Sequence, residues 1–299
     1  MLRDAVEARG IRIEYGKTLR DVKVDPSRGV QAAFCDGFTA SGDLLVGADG
    51  LHSVVRRLID PSAPRPRYTG LLNTGGFAHD VTLSSDMGLE PGVMEFRFGR
   101  RCFLGMTLAP DGDVWWFANP FSTRELQPDE LATLDGPQWR RELVALFDGD
   151  KVPARELIEA TTLVFPGWNT YDLPRLPSWH RDQMVIIGDA SHAISPTSGQ
   201  GASLAIEDAV QLARALRDLP ITDALNAFET LRRKRVERAV AQGARTGSRK
   251  ALGPFGRFVR DRVVMPIIAH NTRRHDPATD WLTGHRIAWD KPVSAPHRA

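Results

Sequence analysis

The residues richest in chemistry run Met184-Val185-Ile186-Ile187-Gly188-Asp189-Ala190-Ser191-His192-Ala193-Ile194-Ser195-Pro196-Thr197-Ser198-Gly199-Gln200-Gly201. The apolar run Met184–Ile187 reads as a buried strand, Gly188-Asp189 ends it, and a loop leads through Gly199 and Gly201 into apolar residues at helical spacing. Such a layout places a ligand site at the carboxyl edge of a sheet. Glycines let a ligand approach the backbone closely. The helix entry at Gly199–Gly201 offers free N–H groups and a positive dipole end, which stabilises a developing negative charge nearby. Asp189, at the strand tip, can accept hydrogen bonds from sugar hydroxyls.

A second segment, Asp43-Leu44-Leu45-Val46-Gly47-Ala48-Asp49-Gly50-Leu51-His52-Ser53-Val54-Val55-Arg56, repeats the theme of an apolar strand ending in a Gly-Asp turn. Taken alone, Asp49 reads equally well as a cap on the helix that starts at Ser53. Together the two segments resemble the FAD-dependent aromatic hydroxylases, the para-hydroxybenzoate hydroxylase-like flavoprotein monooxygenases. The pattern G-D-A-S-H-x-x-x-P-x-x-G-Q-G closes with Asp208-Ala209, and D-x-x-x-G-A-D-G-x-x-S-x-V-R precedes it in the family's order. Ser203 stands where the family usually has Asn. The resemblance implies cofactor-binding roles for Gly188, Asp189, Pro196, Gly199, Gln200, Gly201 and Ala202, with Leu19 added from the preceding strand. By the same resemblance, Asp49 and Arg56 support the pyrophosphate region and the nicotinamide-nucleotide reaction. It also implies FAD as cofactor, NADH or NADPH as co-substrate, and O2 as the oxygen source for hydroxylating a small aromatic or other cyclic molecule. No residue is singled out as a catalytic acid or base, because this chemistry belongs to the cofactor and the protein orients it.

No G-x-G-x-x-G occurs in these residues, although that loop and a following acidic residue bind the pyrophosphate and ribose in dinucleotide folds. The resemblance starts at Met1, at a point where the family has already passed that segment. A late start codon, a truncated gene and a separate chain supplying the segment all stay open, and the 299 residues alone are expected to hold little FAD. Two alternatives stand beside the monooxygenase: a non-catalytic remnant or binding module without FAD, and a related flavin oxidoreductase such as a halogenase or prenyl reductase.

The elements that must position these residues give a mixed α/β (α+β) chain. Residues 1–66 are expected to form part of a three-layer FAD-binding domain, with a short helix over DAVEARG and strands at Ile11–Tyr15, Leu19–Val24, Val30–Phe34 and Leu44–Val46. Pro61, Pro64 and Pro66 mark a boundary. Residues 67–165 form an antiparallel β-sheet substrate domain, with hairpin signals at Phe98-Gly99-Arg100-Arg101 and Asp111-Gly112 and runs at Val93–Phe98, Cys102–Leu108 and Val114–Ala118. Helical spacing covers 128–148. Residues 166–270 return to the FAD-binding domain with C-terminal helices over 199–217 and 222–250, and 271–299 form an irregular tail. Trp115 and Phe117 lie on one face of a strand in the middle sheet. The resemblance makes that sheet a roof over the substrate, though core packing accounts for such aromatics equally well. His192 is expected to organise its loop. Arg232-Arg233-Lys234-Arg235 is expected to be a solvated helix face.

Composition narrows the function classes. Of the 299 residues, 42% are apolar and the net charge is +2, so nothing points to nucleic acid or an acidic membrane surface. No apolar run approaches the ~18 residues of a membrane span, and MLRDAVEARG lacks the apolar centre of a signal peptide. The two cysteines fit neither a disulfide scaffold nor a metal site, which makes a reducing cytoplasm the expected setting. The oligomeric state is not legible.

Overall fold

A computed structural model describes residues 1–25, 27–81, 89–196, 199–248, 254–264 and 281–295. A short helix, α1 (Leu2–Glu7), precedes a meander of β1 (Leu19–Asp25), β2 (Gly29–Phe34) and β3 (Thr39–Gly42). Gly29 is required at its hairpin: φ is +86°, and a Cβ there would sit 2.3 Å from the Gly42 carbonyl oxygen. Next come β4 (Leu45–Gly47) and α2 (Val54–Ile59), then a twelve-residue strand, β5 (Arg67–Ala78).

The expected antiparallel sheet follows. Strands β6 (Met94–Phe98), β7 (Cys102–Leu108) and β8 (Val114–Pro120) join β5 in the order β6-β7-β8-β5, and β9 (Trp168–Asp172) adds the far edge, so the sheet extends past residue 165. Strand alternation divides β8 cleanly: Val114, Trp116 and Ala118 are buried, while Trp115 and Phe117 occupy the other face and are half-buried. The buried face packs on α4 (Gly136–Leu146) and α5 (Ala154–Glu159), through Trp139, Leu143, Leu157 and Ile158. A four-residue turn, α3 (Pro128–Leu131), precedes α4.

The third sheet is small. It comprises β10 (His180–Arg181), β11 (Met184–Ile186) and β4, with β11 parallel to β4. A turn of helix, α6 (Asp189–His192), leads to the long α7 (Gly201–Asp218) and α8 (Ile221–Ser248), whose apolar stripes cover this sheet. A short α9 (Pro254–Val259) runs into a π-helical turn. Residues 249–250 of the expected second helix, and residues 271–280 and 296–299 of the expected tail, lie outside the described residues. Among the described residues no helix is long and apolar enough to cross a membrane.

Four expectations change. Ile11–Tyr15 is not a strand; the alternation is present but Ile11 is 55% exposed, and no neighbouring strand pairs with it. Thr39–Gly42 pairs as β3 despite its small residues, because Val30–Ala33 presents a free edge. The helical stretch 128–148 splits at Asp135-Gly136-Pro137, where Gly136 has φ +65° and the proline starts a new helix. Helix α5 sits in a region that reads as β-rich, its six residues held by the burial of Leu157 and Ile158.

Candidate active site

Strands β4 and β11 run side by side with Leu45 opposite Met184, Val46 opposite Val185 and Gly47 opposite Ile186. The Ile187 amide extends the ladder by donating to the Gly47 carbonyl at 3.0 Å. Both strands therefore end at one edge, and the two Gly-Asp turns emerge together. Between them and the N-terminus of α7 opens a cleft of about 540 Å³, lined by Ala48, Gly50, Gly188, Asp189, Pro196, Gly199, Gly201 and Ala202, among others. Glycine and alanine make up most of its walls. Gly50 and Gly199 have positive φ, and a Cβ at either would meet no atom within 4 Å. Gly188 has φ +58°, and a Cβ there would lie 3.0 Å from the Ala205 Cβ. Only glycine meets both the backbone and the space requirement at that position.

The cleft gathers six of the expected cofactor residues: Gly188, Asp189, Pro196, Gly199, Gly201 and Ala202. Asp189 is exposed, and among the described residues no protein group donates to its carboxylate. Gln200, the residue before α7, makes no side-chain capping bond to the helix, and it does not line the cleft. The first amides of an eighteen-residue helix thus face an open cavity beside a free carboxylate.

Asp49 takes the alternative course open to it from its sequence. Its carboxylate accepts from Ser53 Oγ at 2.5 Å and from the amides of Val54 and Val55 at 2.7 and 3.1 Å. It caps α2, and its neighbours Ala48 and Gly50 line the cleft in its place. Arg56 is 3% exposed and also does not line the cleft. Its guanidinium donates to the carbonyls of Ala190, at 2.9 Å, and Leu51, at 2.6 Å, tying the two Gly-Asp turns together. Burial pushes the Arg56 pKa down, and the nearby Asp49 charge partly restores it. Leu19 packs in the core beneath the meander, away from the cleft lining.

Behind the cleft is a charge network that linear reading misplaces. Asp208, fully buried, accepts from the Gly188 amide at 2.9 Å, from His192 Nε2 and from Arg232 Nε at 2.7 Å. Burial would push the Asp208 carboxyl up, but the His192 hydrogen bond and the Arg232 charge hold it below its ordinary value. Glu207 is bound by Arg232 and Arg235. The Arg232–Arg235 run is thus not a solvated face: Arg232 is 2% exposed. A signal for this exists in the helical phase, since Leu225, Phe228, Arg232, Val236 and Ala239 form one stripe, all buried. His192 organises its loop, as expected, through Asp208.

Trp115 and Phe117 do not line the cleft, and neither does any other residue of the five-stranded sheet. They form an aromatic face of their own, with Trp115–Phe117 centroids 5.4 Å apart, Phe103–Phe117 5.9 Å and Phe96–Phe103 5.6 Å. The sheet meets the cleft-bearing part at the other end, where Tyr171 lies edge-on to His52. Among the described residues no group of three His, Cys, Asp or Glu could hold a metal ion.

Comparison with known proteins gives the family. A family model described as an FAD binding domain matches residues 1–243. Aurachin C monooxygenase/isomerase of Stigmatella aurantiaca is 32% identical over 225 residues, covering 75% of this chain and 55% of that protein. Salicylate hydroxylase of Pseudomonas putida is 30% identical over 310 residues, covering 93% of this chain and 66% of that protein. The chain therefore spans between about half and two thirds of the length of these relatives. The crystal structure of Klebsiella pneumoniae HpxO complexed with FAD and uric acid superposes with a TM-score of 0.72 at 26% identity, covering 90% of this chain and 68% of that one.

Proposed function

On the premise that this chain belongs to the FAD binding domain family of FAD-dependent aromatic hydroxylases, we propose that it serves a monooxygenase reaction. In that reaction a small aromatic or heterocyclic substrate is hydroxylated with NADH or NADPH and O2. FAD, when bound, supplies the redox and oxygen-activating chemistry. The chain's own residues would bind and orient it. Asp189 would accept hydrogen bonds from sugar-type hydroxyls of the cofactor. Gly50, Gly188 and Gly199 would let it lie against the backbone. The amides at Gly201 and Ala202, with the positive end of α7, would face the part that becomes negative on reduction. Pro196 would close one side of the cleft. Arg56 and Asp208 would hold the cleft walls in place without touching the cofactor. The aromatic face of Trp115 and Phe117 suits a planar ring, and this supports an aromatic substrate class. Reliance on a reduced nicotinamide nucleotide, with both cysteines unbridged, supports a cytoplasmic setting.

The observation that carries this proposal is the free Asp189 carboxylate in a glycine-walled cleft beside an uncapped helix. The test is a titration with excess FAD, followed by flavin fluorescence, of the chain and of Asp189→Ala. A hydrogen bond to a charged group contributes about 1.5–3 kcal/mol, so affinity should fall roughly tenfold to a hundredfold. Equal affinity in the two proteins would place the cofactor elsewhere.

A further inference from the structure

The α6 turn has two neighbours. The cofactor cleft touches it at Gly188 and Asp189, and a second cavity of about 250 Å³ touches it at Ser191 and His192. The walls of this second cavity are apolar. Leu173, Leu176 and Trp179 come from the stretch between β9 and β10, and Val236 and Val240 come from α8. Its polar neighbours are nearly all engaged. Arg67 pairs with Asp172, Arg175 pairs with Glu237, and Ser191 Oγ donates to the Gly188 carbonyl. His192 Nδ1 is buried and, among the described residues, has no hydrogen-bond partner.

The protonation pattern follows from the partners. Asp208 is a carboxylate and can only accept, so His192 Nε2 carries the hydrogen that points at it. The two carboxylates of Glu207 and Asp208 are already balanced by Arg232 and Arg235. The tautomer with its hydrogen on Nε2 has a lone pair on Nδ1. Buried acceptors are almost always met by a donor, and no protein donor is present here. The His192 ring is flanked by the Trp179 ring at 5.7 Å, which favours a flat partner. A cavity of ~150 Å³ lined by apolar side chains already accepts a benzene ring, so the volume suffices for one ring with a substituent. Among the described residues no unpaired cation lines the cavity to select an anion.

We propose that this cavity is a second small-molecule site, separate from the cofactor cleft, that takes a neutral phenol-class ligand. The aromatic ring lies among Leu176, Trp179, Val236 and Val240, and the ligand hydroxyl donates to His192 Nδ1. No part of this depends on FAD or on the hydroxylation reaction. Because His192 is bonded to Asp208, and Asp208 to the Gly188 amide, the site is one hydrogen-bonded chain away from the cofactor cleft.

The test uses the full chain without FAD, with phenol as probe and anisole, which has the ring but no donor, as its control. Calorimetric titration should give one phenol site, with anisole roughly twofold to tenfold weaker, as expected for the loss of one neutral hydrogen bond. Val240→Phe fills the cavity from α8 without touching His192 and should abolish the phenol site. In the unmutated chain labelled with ¹⁵N-histidine, the His192 Nδ1 resonance should move with phenol and stay still with anisole; this decides the matter should Val240→Phe not fold. Absence of phenol binding, equal binding of the two probes, unchanged binding to a folded Val240→Phe, or an unmoved His192 Nδ1 each overturn the proposal.

Discussion

Arg56 offers the sharpest test of how the candidate site is built. Its guanidinium joins Leu51, after β4, to Ala190, after β11, and the latter is 134 residues away in sequence. Replacing it with Met keeps most of the buried stem and removes both hydrogen bonds. A hydrogen bond to a charged group contributes about 1.5–3 kcal/mol, so the two together amount to roughly 3–6 kcal/mol. Part of that is returned, because burial disfavours this cation, as the downward push on its pKa indicates. A net loss of about 2–4 kcal/mol is expected. Arg56→Lys should recover less than half of it, since a single ammonium on a flexible stem cannot reproduce a planar fork aimed at two carbonyls. Urea unfolding followed by circular dichroism, with the slope checked for constancy, measures both variants. A change within about 0.5 kcal/mol for Arg56→Met is what a site without special interactions shows, and it would refute the tie. A larger loss for Lys than for Met would show that the cost of burying charge, not hydrogen bonding, dominates at this position.

Three further outcomes follow from other parts of the molecule. Burial alone would push the Glu229 carboxyl up, but hydrogen bonds from His180, Arg233 and the Trp179 amide hold it at about 2. A carboxylate whose folded pKa lies below its unfolded one stabilises the fold above the unfolded value, near pH 4.5, and that stabilisation of about 3 kcal/mol is lost as pH falls toward 2. Glu229→Gln should therefore flatten the acid side of the stability curve, and parallel acid-unfolding curves for the two proteins would contradict this. Gly47→Ala should cost about 1–3 kcal/mol by overpacking, because the new Cβ would lie 2.6 Å from the Val55 Cβ and 3.0 Å from Ile186 Cγ2; an unchanged melting temperature would count against that packing. Purified as these 299 residues, the chain should carry well under one FAD per molecule, since its sequence holds no glycine-rich pyrophosphate turn; a stoichiometric flavin band at about 450 nm would show that the cleft suffices by itself.

The strands were legible where pattern and pairing agree. Cys102–Leu108 and Val114–Ala118 alternate, are bounded by turn residues, and pair over their whole length. Ile11–Tyr15 alternates just as well and forms nothing, because a strand needs a partner edge and local pattern cannot supply one. The reverse holds for Thr39–Gly42, whose composition is poor for a strand but which meets the open edge of β2. Helix α5 was invisible for a similar reason: six residues carry too little periodicity, and tertiary burial of Leu157 and Ile158 decides their state.

The site was legible as a place more than as a set of roles. Both Gly-Asp turns follow apolar strands, and parallel pairing brings their ends to one edge. Yet the two aspartates, alike in sequence context, end in different employment. Asp49 is followed four residues later by Ser53 and the start of α2, so free amides lie within reach and its carboxylate is spent on them. Asp189 is itself the first residue of a four-residue turn whose amides at Ser191 and His192 already donate to the Gly188 carbonyl. It has nothing local to cap and is left facing the cleft. The same logic separates the basic residues: Arg56 and Arg232 are buried on their helices and stabilise walls, although Arg232 stands in a stretch that reads as charged surface. Which polar residue is free to meet a ligand is therefore settled by what its immediate neighbours leave unsatisfied, and that depends on helix starts and helix phase as much as on the motif.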